Sequence, residues 1–123
     1  MTYQIITINR DASLWVAVDP IDYQWAIEFL WNYKQVDTFF TTHYYAKRNI
    51  GPERTPVYLH VEIMNRVCPF DPAKPLVDHI SGNTLDCRRE NLRRVTPKVN
   101  SNNRYGKTFL LPIVQLELEP VPW

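Results

Sequence analysis

The chain has 123 residues, is 45% hydrophobic and holds four Trp, seven Tyr and five Phe, which is enough for one domain with a core of its own and argues against general disorder. The net charge is +1 at pH 7, so no global field commits the molecule to nucleic acid or to a lipid surface. The longest apolar runs, Leu14–Val18 and Phe109–Val114, fall well short of the ~20 residues a membrane span needs. MTYQIITINR also lacks a basic start, an apolar stretch and a cleavage site, so the expectation is a cytoplasmic protein with no membrane partner.

Tyr3–Ile8 reads as a strand, Asn9–Ser13 as a turn and Leu14–Val18 as a returning strand. Asp19-Pro20 then predicts a helix start, with Asp19 as N-cap and Pro20 at the first helical position. Ile21, Trp25 and Phe29, flanked by Ala26, Leu30 and Tyr33, give an apolar stripe that extends this helix to about Tyr33. Val36–Ile50 favours strands through its Thr, Phe and Tyr content. Asn49–Pro56 looks like a loop and Val57–Leu59 like a strand pairing back. A short helix over His60–Val67 should bury Ile63, Met64 and Val67. The proline-rich stretch 69–75 admits neither regular helix nor central strand.

Leu76–His79 and Asn91–Thr96 read as two strands joined by a long loop, and Thr96-Pro97 starts a helix to about Arg104. Residues 113–119 alternate like a half-buried strand near the C-terminus. Cys68 and Cys87 are far apart and without a Cys-x-x-Cys partner, so they suggest two reduced thiols, no disulfide framework and no structural zinc.

Charge is distributed unevenly. From Asp78 to Lys107 there are seven basic residues against three acidic ones, a surplus of four on an otherwise slightly acidic chain. Such a segment suggests an anionic partner, nucleic acid first. The same segment carries the chemistry. Asp78 and Asn100 offer one carboxylate and one amide oxygen, a hard pair suited to Mg²⁺ or Mn²⁺. His79 is the side chain best matched to taking a proton from water near neutrality. Asn91, at the base of the loop, can bridge backbone groups on both sides or hold the His79 ring in one orientation. Arg88, Arg89, Arg93, Arg94, Lys98 and Arg104 are the candidates for phosphate contacts that position a duplex without reading its bases.

VDHISGNTLDCRRENLRRVTPKVNSNNR resembles the ββα-metal motif of HNH endonucleases, in the H-N-N branch encoded by phages and mobile introns. The upstream VAVDPIDYQWAIEFLWNYK, Tyr45–Arg48 and Tyr58–His60 resemble the segments that accompany this module, so the likeness covers about residues 13–104. The sequence departs from the pattern at Val61, where Arg commonly follows the upstream His. The resemblance implies His79 as general base, Asp78 and Asn100 as metal ligands, and Asn91 as the amide organising the loop. Asn103 matches the second helix Asn and is a candidate for supporting the site. His60 reads as a packed histidine tying the short helix to the hairpin, with a supporting place in the site as the alternative. His43 is given no role.

The expectation is therefore an α+β chain in three parts. Residues 1–68 form an N-terminal strand and helix unit that can add DNA contacts, 69–107 the ββα-metal motif and 108–123 a strand-like tail. The expected activity is that of a Mg²⁺-dependent (or Mn²⁺-dependent) homing-type endonuclease acting on double-stranded DNA. A single site per chain nicks, and cutting both strands calls for a homodimer or sequential events. The alternative is a DNA-binding or regulatory protein that keeps the module's shape without turnover.

Overall fold

The computed structural model describes residues 2–97. Of the expected helix over 97–104 only Pro97 is described; the rest of it and the tail over 108–123 lie outside the described residues, as do Lys98, Asn100, Asn103 and Arg104. Within them the protein is α+β, with three small antiparallel sheets, two α-helices and a 3₁₀ turn at Arg89–Asn91.

The first sheet is a hairpin of β1 (Gln4–Thr7) and β2 (Trp15–Val18), with Ile6 opposite Val16. Its turn is held by Asn9, whose amide oxygen accepts from the Leu14 N–H at 3.0 Å and whose amide nitrogen donates to Ser13 Oγ at 3.0 Å. Helix α1 (Pro20–Ala26) starts where the Asp-Pro pair places it. Asp19 sits at the N-cap position but makes no side-chain cap. Its Oδ2 accepts instead from the backbone N–H of Arg89 at 2.9 Å.

The helix ends at Ala26, well before Tyr33. Ile27–Phe29 turn, and Trp31 folds back so that its indole N–H donates to the Ala26 carbonyl at 2.8 Å while its ring enters the core. The fourfold spacing of aromatics is real, but Phe29 faces Arg48, whose guanidinium lies 3.8 Å from the ring centre. Leu30 is 91% exposed, and Tyr33 already belongs to the next strand.

The second sheet runs β3 (Asn32–Asp37), β4 (Thr42–Ile50) and β5 (Thr55–Tyr58) in that order, with Val36 opposite His43 and Lys47 opposite Tyr58. The expected loop over 49–56 is shorter, a turn at Gly51–Arg54. Pro56, which has no N–H to give, sits on β5 at the sheet's edge. Helix α2 (Leu59–Val67) buries Leu59, Ile63 and Met64, while Val67 faces solvent. It packs against β4 and β5 and against the third sheet. That sheet pairs β6 (Leu76–His79) with β7 (Leu92–Val95), placing Asp78 opposite Arg93 and His79 opposite Leu92.

One core serves all three sheets. Ile8, Val16, Val18, Ala26, Trp31, Leu59, Ile63, Leu85 and Leu92 meet in it. The loop between β6 and β7 also joins the first sheet through backbone bonds. Ala17 donates to the Leu85 carbonyl at 2.9 Å and accepts from the Cys87 N–H at 2.8 Å.

Candidate active site

The loop from Ile80 to Asn91 is organised by its last residue. Asn91 Oδ1 accepts from the Ser81 N–H at 2.9 Å and Nδ2 donates to the Asp86 carbonyl at 3.0 Å. Its main-chain oxygen takes the Ile80 N–H at 2.7 Å. A side-chain amide, with one donor face and one acceptor face, is what such a bridge between antiparallel segments requires. At the other end Gly82 adopts φ +85° and gives its N–H to the His79 carbonyl at 2.8 Å. Thr84 Oγ1 ties the loop to β4 by donating to the Tyr44 carbonyl at 2.7 Å.

Asp78 and His79 therefore stand at the end of β6 with the loop fixed beside them. Both line a cleft of about 350 Å³ whose other walls include His43, Tyr45, Tyr58, His60 and Thr84. All three histidines of the chain thus meet at one place. The His60 and His79 rings are 4.6 Å apart between centroids, and Tyr45 lies 6.0 Å from His79. His79 Nε2 is 3.9 Å from Cys87 Sγ.

Burial, followed by the neighbouring His60 and His43, holds His79 well below its ordinary value, and burial brings His60 to about 4. The physical cause is loss of hydration for the imidazolium. Both rings are accordingly neutral across the physiological range, so His79 has a lone pair with which to accept a proton. Burial pushes the Cys87 thiol up, with the nearby carboxylates adding to the effect. It stays protonated, and Cys68 and Cys87 are both free thiols.

The arginines divide by partner. Arg88 is 7% exposed. Its Nε and Nη2 bond Asp86 at 2.9 and 3.0 Å, and its Nη1 reaches Glu90 at 3.0 Å. Burial pushes the Asp86 carboxyl up to about 6 against the pull of that guanidinium. Arg89 grips fully buried Asp22 with two bonds of 2.8 and 2.9 Å. Both guanidiniums face internal carboxylates here: Arg88 ties the loop to itself through Asp86, and Arg89 ties it to helix α1 through Asp22. Arg94 bonds Asn65 Oδ1 at 2.9 Å and the Cys68 carbonyl at 3.0 Å, pinning the C-terminal end of α2 to β7. Arg93 holds Asp78 itself, with Nε and Nη2 at 3.1 and 3.0 Å from the same oxygen, Oδ2.

Among the described residues no group of three or more His, Cys, Asp and Glu converges closely enough to hold a metal ion. The donor chemistry that is present, one buried carboxylate facing a cleft with room for several waters, fits a hard cation that keeps part of its hydration shell. The amide oxygen expected to complete the pair, from Asn100, lies outside the described residues.

Residues 57–102 match the family model described as HNH endonuclease. The match supports the HNH endonuclease family. No curated protein and no solved structure matches the chain. The HNH stretch takes in the second half of β5, all of α2, β6, the Asn91 loop and β7. His43, in the same cleft, lies upstream of it. The signal for His43 lay in the strand alternation, since His43 and Tyr45 share one face of β4, but it could be read only with Tyr45 facing His79 on the β6–β7 hairpin.

Proposed function

We propose that the chain is a homing-type HNH endonuclease that hydrolyses phosphodiester bonds of double-stranded DNA with one Mg²⁺ or Mn²⁺, leaving 5′-phosphate and 3′-hydroxyl ends. The observation carrying this reading is His79 on the wall of a cleft beside Asp78, its imidazole held well below the ordinary value by burial, within the stretch that matches the HNH model. His79 takes the proton from the attacking water as the oxygen approaches phosphorus. Asn91 keeps the loop closed around that imidazole. Asp78 and Asn100 would hold the divalent cation, which when bound offsets charge growing on the phosphate and on the leaving 3′ oxygen. His60 and Asn103 support the site, and Arg94, Lys98 and Arg104 reach the phosphate backbone. One such site cuts one strand per encounter, so a monomer nicks and a double-strand break takes two copies or two events.

A supercoiled-plasmid assay in Mg²⁺ tests this. Wild type should convert the plasmid to the nicked form, EDTA should stop it, and His79→Ala should be slower by about 10²–10⁴-fold, the usual worth of a general base. Equal conversion by both proteins rejects the assignment. The second reading, a DNA-binding protein without turnover, draws support from the ion pair that already engages Asp78. Salt-sensitive DNA binding with no cleavage in either Mg²⁺ or Mn²⁺ would select it.

A further inference from the structure

We infer that Arg93 is a latch on the metal-ligand carboxylate, holding Asp78 until a substrate phosphate draws its guanidinium away, so that divalent cation and DNA bind cooperatively. This rests on the nuclease reading above and adds a coupling to it.

Register creates the contact. Asp78 on β6 and Arg93 on β7 are directly opposite, the position at which opposite charges interact most strongly across a sheet. Two guanidinium nitrogens converge on Oδ2 alone. The partners differ in exposure: the Asp78 side chain is 4% exposed and that of Arg93 43%. The carboxylate is fixed, whereas the guanidinium has a path to solvent. A buried carboxylate also needs compensating donors when no cation is there, and Arg93 supplies two of them.

Arg88 and Arg89 behave differently. Their carboxylates, Asp86 and Asp22, are fully buried within the fold and do not line the cleft. Arg93, in contrast, is bonded to a group the reaction needs for something else. A divalent cation and a guanidinium compete for one oxygen, and their like charges oppose joint occupancy. A phosphate oxyanion satisfies the same fork of donors as a carboxylate does. Each DNA phosphate that accepts Arg93 therefore frees Oδ2 for the cation, and by linkage the bound cation raises affinity for the phosphate by the same factor.

Isothermal titration of the full chain with Mn²⁺, alone and with a short phosphorothioate duplex, tests the coupling, with thermal melts to check folding. Arg93→Gln should bind Mn²⁺ about fivefold more tightly than wild type without DNA, the factor matching a strong cross-strand charge pair. Arg93→Lys, which keeps charge but loses the fork, should fall between. The duplex should tighten Mn²⁺ binding to wild type by a similar factor and leave Arg93→Gln unchanged. If Arg93→Gln and wild type bind Mn²⁺ equally while Asp78→Asn binds none, the latch is overturned and the nuclease reading stands. If Asp78→Asn binds Mn²⁺ as wild type does, both fall, because the cation is then held elsewhere.

Discussion

Three donors converge on Asp22, a carboxylate with no solvent contact: the two nitrogens of Arg89 and the indole N–H of Trp25, at 2.8, 2.9 and 3.0 Å. Removing Arg89 leaves a buried charge with a single neutral donor. Arg89→Met should therefore cost roughly 3 kcal/mol, the lower end for a broken buried pair because the arginine is itself partly exposed. Urea unfolding measures it, and Asp22→Asn in the same chain should recover part of the loss. At this scale the sequence was legible only where chemistry and chain order coincide. Asp78 and His79 could be seen as a pair because they are neighbours. The partnership of Asp22 with Arg89 spans most of the chain, and that of Asp78 with Arg93 depends on a strand register that composition does not encode. The surplus of basic residues pointed to phosphate, yet Arg88, Arg89 and Arg93 each meet an internal carboxylate.

The elements were easier to read at their starts than at their ends. Pro20 set the beginning of α1, because a fixed φ and a missing N–H suit the first turn alone. The end was misread because apolar residues at helical spacing cannot reveal that Trp31 returns to cap Ala26. The β6–β7 hairpin was legible in both strands, since each is short, apolar or β-branched in part, and separated by turn residues. What shapes its loop is backbone geometry at Gly82, where φ is +85° and the N–H closes onto His79. A Cβ there is strained whatever the surrounding space. Gly82→Ala should lower stability by about 1–2 kcal/mol, seen as a lower melting temperature.

For the molecule as a whole, His60 and His79 contribute to the response to acid. Their folded values lie below the ordinary 6.5, with His60 at about 4. Between those limits the unfolded chain binds protons that the folded chain refuses, so stability present above about 6.5 is lost as pH falls. Asp86 acts in the opposite sense, because its carboxyl, raised to about 6, takes a proton first in the folded state. With two histidines against one carboxyl, the melting temperature should fall between about pH 7 and about pH 5, and His60→Gln should flatten that slope. An unchanged or rising melting temperature would contradict the burial that brings these rings together.

The two bonds between Ala17 and the loop at Leu85 and Cys87 bear on anyone who wishes to transplant the stretch that matches the HNH model onto a different protein. The recognisable stretch is not a self-contained cassette. Its floor is supplied by a hairpin some forty residues upstream of where the family match begins. A fusion drawn at the motif's own boundaries would leave that main chain without its neighbour, so a working graft has to carry the opening strands along.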